Sequence, residues 1–381
     1  MRAGAVRVFT WRAIEIRLHW SLLVLASLLT WGLADTALPA NAAGYSTSAY
    51  WVAAALAALV FLGSIIAHEL GHSVIAQRRG IHVRSITMWL FGGIAELDHR
   101  PQTWRDEMAV ALAGPSVSLA IGVTSGIAAA LVWTATGAGL TTAALIWLGS
   151  TNVILALFNM LPGAPLDGGR VFAAWRWRRR ESPVQARQEA ARAGTMLAHG
   201  LVAVGVVLLF VGAGASGLWL ALLGWFLAGA ARAELADTET RHVLDHVTVG
   251  DVMTSHPAMV PDTMTLATLV GCVLQKIHGS TVPVVRDGRL VGLVTPDHLR
   301  HIAPGEWRLL TTADVATPVG AFATATAHEP LLAALDRLAT DERRIVVVDD
   351  DDATHVVGVI TPTDLARTVR LARLREAAVP V

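Results

Sequence analysis

The sequence predicts a polytopic α-helical membrane domain of about six transmembrane helices, followed by a soluble α/β domain pair. Three observations carry that expectation. Hydrophobic residues make up 54% of the 381-residue chain and charged residues only 16%, where a soluble domain carries about 25% charge. Apolar runs long enough to cross a bilayer recur from His19 to Ala231. From about Val247 the composition becomes that of a soluble α/β domain, and a pattern repeats: Ser280–Thr295 matches Arg344–Thr361. Net charge is zero by count, so nucleic acid is not an expected partner. The single cysteine, Cys272, excludes an internal disulfide and a cysteine-rich metal site.

Met1–Arg17 is short and basic, with Arg2, Arg7, Arg12 and Arg17. His19–Leu38 is the first apolar span. Pro39-Ala40-Asn41-Ala42 after it resembles a signal-peptidase site. The apolar run is longer than a typical signal core, so a retained span is expected. Tyr50–Ile75 is the second span. Gln77–Glu107 is polar and holds Arg78, Arg79, Arg84, Arg100 and Arg105. Within it, Ile86–Leu97 is β-branched and aromatic but broken by Gly92-Gly93, which reads as a short hairpin or a re-entrant loop. Met108–Trp133 is the third span. Ala113-Gly114-Pro115 near its start is small enough for close helix approach.

Ala143–Leu161 is the fourth span and runs into Asn159–Arg170, where Pro162, Gly163, Pro165, Gly168 and Gly169 cannot continue a regular helix. An unwound segment at membrane depth survives only when buried in protein or lining a wet cavity. A basic stretch, Arg176–Arg192, separates it from the last two spans, Met196–Val211 and Leu218–Ala231. Segments rich in arginine alternate with Ala34–Ser48, Ala135–Thr142 and Gly212–Gly217, which have none. The positive-inside rule then places both termini in the cytoplasm of a multi-pass cell-membrane protein. The expected boundaries are a membrane domain over 1–235, a linker over 236–247 and the soluble pair over 248–375. In that pair each repeat reads as strand, polar turn, strand and helix start. The aspartate run Asp349–Asp352 occupies the turn position and reads as a solvated turn, not a cation site.

The second span ends in His68-Glu69-Leu70-Gly71-His72. Two histidines four apart share one face of a helix and can hold one Zn²⁺, with Glu69 placed as general base toward water. Ionisable residues this close to a bilayer are costly and mark functional sites. A hydrolytic zinc takes three protein ligands. Asp167, in the broken segment and at the same predicted membrane face, is the candidate third; its other reading is a helix cap after Pro165. Asn159, where the fourth span breaks, is either a donor to an oxyanion or a buried amide satisfying freed backbone groups.

His68-Glu69-Leu70-Gly71-His72 with Asn159-x-x-Pro162-x-x-Pro165-Leu166-Asp167-Gly168 resembles the site-2 protease family of intramembrane zinc metalloproteases. Arg17-Leu18-His19-Trp20-Ser21, Phe91-Gly92-Gly93 and Ala113-Gly114-Pro115 extend the resemblance, and the C-terminal repeat looks like a tandem pair of CBS domains. The resemblance implies one zinc on His68, His72 and Asp167, with Glu69 activating water and Asn159 assisting. It also implies a single-span membrane protein as substrate, cut in or near its helix in the lipid bilayer, often to destroy an anti-sigma factor or mature a sigma factor. An unwound substrate strand could pair near Phe91, Gly92 and Gly93. The CBS resemblance implies cytoplasmic modulation through an adenosine nucleotide, or homodimerisation. Thr361 and Asp364 fit the nucleotide pattern, whereas Thr295 and Asp297 have the aspartate one place early. The competing readings are a CBS-regulated transporter and a non-catalytic metal-binding scaffold. A transporter predicts inverted repeats and gives Glu69 no task.

Overall fold

The computed structural model describes residues 4–378 apart from 91, 181, 213, 275–280, 337 and 339–343. The chain divides into two compact units, Met1–Thr238 and Glu239–Val381.

The first unit opens with strands β1 (Ala5–Trp11) and β2 (Ile14–His19) and helix α1 (Ser21–Gly32), which continues through a π turn into Leu38–Asn41. Then come α2 (Thr47–Arg78), β3 (Val83–Trp89), β4 (Gly92–Leu97), α3 (Trp104–Thr136), α4 (Leu140–Asn159), α5 (Asp167–Arg180), α6 (Pro183–Phe210) and α7 (Gly214–Leu244). Among the described residues, six helices are long and apolar enough to cross a membrane: α1 with its extension, α2, α3, α4, α6 and α7. Several begin before the apolar run because a hydroxyl caps them. Ser46 accepts from the Ala49 amide, Thr103 from Asp106, and Ser182 from Gln185 with Pro183 at the first helical position. The basic stretch Arg176–Arg192 that separates the fourth span from the last two is the end of α5 and the start of α6. Arginine, alanine and glutamate favour helix there, and Arg176 pairs with Glu189 across the turn.

Helices approach closely where side chains are missing. A Cβ on Gly71 would meet the Ala113 carbonyl at 3.2 Å, joining α2 to α3. One on Gly122 would meet the Gly149 carbonyl at 3.0 Å, joining α3 to α4. In lipid, packing of this kind takes the place of a hydrophobic driving force.

The strands form one sheet in the order β1-β2-β3-β4. β1–β2 and β3–β4 are antiparallel hairpins, and β2 runs parallel to β3 with Glu15 opposite Ser85. The short basic stretch before the first span thus holds β1 and most of β2. Its apolar residues decide this: Ile14 and Ile16 are fully buried with Val83, Ile86 and Met88, against Ala76, Ile81 and Val110 of the loop and helices. Of the two readings of Ile86–Leu97, the structure adopts the hairpin. β4 lies at the edge of the sheet with one side unpaired by any named strand.

The second unit holds β5 (Thr254–Ser255), β6 (Val260–Pro261), β7 (Val282–Arg286), β8 (Arg289–Val294), β9 (Thr317–Pro318), β10 (Ala323–Thr326), α8 (Leu331–Asp336), β11 (Ile345–Val348), β12 (Val356–Ile360) and α9 (Pro362–Ala378). Two four-stranded sheets, β6-β7-β8-β9 and β10-β11-β12-β5, have the same layout. Each takes its last antiparallel strand from the segment leading into the other repeat, so the halves interlock. Matching capping boxes start short helices at Thr248/Asp251 and Thr311/Asp314. Hydrogen bonds from the threonine hydroxyl and amide hold both aspartates below the usual carboxylate range. Asp349–Asp352 forms an exposed turn, where Asp352 accepts from the Thr354 amide and hydroxyl.

Candidate metal centre

α2 carries His68 and His72 one turn apart, and both are buried. The broken segment after α4 returns the chain so that α5 opens on Asp167. This return needs glycine. A Cβ on Gly168 would fall within 2.4 Å of the Leu161 carbonyl oxygen, and one on Gly169 within 2.7 Å of the Gly163 carbonyl oxygen. The outcome is a triangle of donor atoms. His68 Nε2, His72 Nε2 and Asp167 Oδ2 stand 3.2 Å from one another on all three edges. Among the described residues this is the one group of three or more His, Cys, Asp or Glu side chains close enough to share an ion.

The triangle fits a divalent ion of zinc's size. Ligands about 2.0 Å from a tetrahedral centre lie about 3.3 Å apart, which matches the observed edge. The space is also kept clear. Gly114 of α3 faces the histidines, and a Cβ there would sit 2.6 Å from His68 Nε2 and closer still to His72 Nε2. The far ring nitrogens are tied down. His72 Nδ1 lies 2.7 Å from the Val110 carbonyl, which can only accept, so the proton is on Nδ1 and the Nε2 lone pair faces the triangle. His68 Nδ1 lies 2.9 Å from the Ser118 hydroxyl, which is fully buried.

The helix bearing Asp167 is held by an ion pair to a buried carboxylate. Arg170, one turn further along α5, donates to Glu107 of α3 at 2.8 Å, and Arg187 of α6 lies 3.7 Å from the other Glu107 oxygen. Glu107 is only 6% exposed. A carboxylate so buried is stable only with such partners, and Glu107 links α3 to α5 and α6 about one turn from the triangle.

Glu69 is half-buried beside His68. The edge strand β4 rests against it: a Cβ on Gly93 would stand 2.5 Å from Glu69 Cγ and 3.0 Å from Oε2. Gly92 and Gly93 therefore lie next to Glu69, while Phe91 is outside the described residues. Asn159 is the half-buried last residue of α4, and its side chain makes no hydrogen bond among the described residues. The wholly buried asparagine is instead Asn152, whose Nδ2 donates to the Leu148 carbonyl while Oδ1 has no partner.

In the second unit, Thr361 and Asp364 are buried at the start of α9. Asp364 Oδ2 accepts from the Thr361 amide and hydroxyl, and Oδ1 from Thr254 and Arg367 at 3.3 and 3.4 Å. Thr295 is buried with its hydroxyl unpartnered, and the Asp297 side chain is outside the described residues. Sequence reasoning missed Ser118, Glu107, the Val110 carbonyl and the role of Gly114. Their distance from the motif in the chain hid the first three. Gly114 was legible only as a small residue.

Residues 56–136 and 134–203 match peptidase family M50, and 249–305 and 313–371 match the CBS domain. The zinc metalloprotease Rip3 of Mycobacterium tuberculosis is 39% identical over 368 residues, 95% of this chain and 92% of that one.

The chain belongs to peptidase family M50.

It is an intramembrane zinc metalloprotease of the site-2 type, multi-pass, with a C-terminal CBS pair. A zinc metalloprotease of Synechocystis is 28% identical over 84% of both chains. The solved site-2 protease from Methanocaldococcus jannaschii is 26% identical, covering 61% of this chain and 95% of that one, with a TM-score of 0.42. The two M50 matches of this protease take in the histidines of α2 on one side and Asn159 and Asp167 on the other.

Proposed function

We propose that this protease hydrolyses a peptide bond in or near the transmembrane helix of a single-span membrane protein, using His68, His72 and Asp167 to hold one zinc and Glu69 as general base. The observation that carries the reading is the 3.2 Å donor triangle with Gly114 leaving its centre free. Bound zinc would supply Lewis acidity, bringing the pKa of water towards neutrality and polarising the scissile carbonyl. Glu69 accepts the proton of the attacking water as the new C–O bond forms, then passes it to the amine as the C–N bond breaks. The free side-chain amide of Asn159 donates to the carbonyl oxygen as charge builds there.

A helical substrate shields its own carbonyls and must unwind before it is cut. The edge of β4 beside Glu69 offers amides and carbonyls to an extended segment. The absence of a side chain on Gly93 lets such a segment come close to the base. The arginine distribution favours both termini on the cytoplasmic side. There the CBS pair would modulate cleavage through an adenosine nucleotide at Thr361 and Asp364, with Thr295 and Asp297 marking the weaker second position, and through pairing with a second copy. Anti-sigma factors and sigma-factor precursors are the substrate class that the family resemblance implies.

The test is zinc content and cleavage of a panel of single-span membrane proteins by the wild type beside Glu69→Gln. Zinc in both with cleavage only by the wild type is expected. Wild-type protein that holds no zinc after mild purification would sink the reading.

A further inference from the structure

The end of α5 opposite Asp167 carries a group of side chains that the proteolytic reading leaves without a task. Arg105, the second residue of α3, and Arg178 of α5 both stack on the Trp104 indole, at 4.9 and 5.0 Å from its centroid. Arg179 stacks on Trp175 at 4.4 Å. All three arginines are exposed. Among the described residues none of the three has a carboxylate partner, in contrast to their neighbour Arg176, which pairs with Glu189. Sharing one indole brings Arg105 and Arg178 within about 10 Å of each other, a separation comparable to the Debye length of about 8 Å at physiological salt. Two helices thus converge like charges on one ring, with no ion-pair partner for them among the described residues.

Position says which anion. Trp104 opens a spanning helix, and Trp175 is 39% exposed on the helix beside it. Indole rings at the end of a span lie at the level of lipid headgroups. A guanidinium held over an indole by cation–π attraction still has N–H groups to offer, in the fork that matches a phosphate. We propose that Arg105, Arg178 and Arg179 form a binding site for the phosphate of an anionic phospholipid headgroup. A soluble acidic peptide would meet the same charges. The two indoles, placed where a spanning helix leaves the bilayer, favour the lipid. The site lies on the helix that begins with Asp167, so an occupied site holds the far end of that helix at the membrane surface. This last consequence rests on the protease reading; the lipid binding itself does not.

The experiment is native mass spectrometry of the full chain released from nanodiscs of equal parts phosphatidylglycerol and phosphatidylcholine. Each basic residue at such a surface is worth about fivefold in affinity for anionic lipid. The wild type should retain phosphatidylglycerol over phosphatidylcholine by at least about fivefold. The triple variant Arg105→Gln/Arg178→Gln/Arg179→Gln should lose that preference. A control removing three exposed arginines of the second unit, Arg289→Gln/Arg308→Gln/Arg370→Gln, should keep it. If the triple variant does not fold, Arg178→Gln alone should lower the preference several-fold. A wild type without preference, or a preference that survives in the site variants, overturns the proposal whatever the outcome of the cleavage test.

Discussion

Gly114→Ala is the sharpest test of how the metal centre is built. An added methyl at an ordinary helix-interior glycine stabilises the helix by about 1 kcal/mol. At Gly114 the methyl carbon would lie 2.6 Å from His68 Nε2 and nearer still to His72 Nε2. Ordinary carbon–nitrogen contact begins near 3.4 Å. The imidazoles must therefore retreat by about 1 Å, whereas zinc–ligand distances hold within about 0.2 Å. Loss of an outer-shell partner alone costs a metal site 10–100-fold in affinity; displacing two of three ligands should cost more than about 100-fold. The assay is competitive zinc titration against a chelator of known affinity, with melting of the zinc-free proteins alongside. Gly126→Ala, on the same helix but with nothing within 4 Å of the new atom, is the control. The expected result is opposite signs: metal lost in Gly114→Ala, and metal kept with equal or better stability in Gly126→Ala. A Gly114→Ala protein with the wild-type chelator midpoint would refute the assignment of the triangle as the metal site.

Three further outcomes follow from the same geometry. Gly93→Val should displace Glu69, whose Cγ is 2.5 Å from the new Cβ. Cleavage should then fall by more than about tenfold, as for a mispositioned general base, with zinc stoichiometry unchanged; undiminished cleavage would remove β4 from the substrate path. Ser118→Ala removes the partner of His68 Nδ1 and should weaken zinc binding about 10–100-fold, read by the same titration; an unchanged midpoint would mean that packing alone orients the ring. Glu107→Gln takes from Arg170 and Arg187 the carboxylate they share, leaving Arg170 the charges of Asp167 and Glu234 and Arg187 that of Glu234. A broken buried pair costs about 3–5 kcal/mol, so thermal melting in detergent should drop sharply, and an unchanged melting temperature would show the network to be dispensable.

Much of this protein follows from local rules. The spacing of His68 and His72 needs only the pitch of a helix to put both rings on one face. Apolar length decides the six spans, and the repeat of strand, turn and strand decides the two halves of the C-terminal unit. Other features depend on residues far apart in sequence meeting in space. β2 pairs with β3 across a helical excursion of more than 60 residues, so Met1–Arg17 reads only as short and basic until Ile14 and Ile16 find their sheet. The start of α6 at Ser182 and Pro183 is a capping decision, which an apolar window cannot see. At the centre, helix pitch supplies two ligands, and tertiary structure supplies everything that makes them a site. A glycine-permitted return of the chain brings in Asp167. Gly114 keeps the middle clear, Val110 and Ser118 orient the two rings, and Glu107 locks the helix that carries the third ligand. Periodicity specifies where a side chain points on its own helix; only packing against α3 and α5 specifies what it points at.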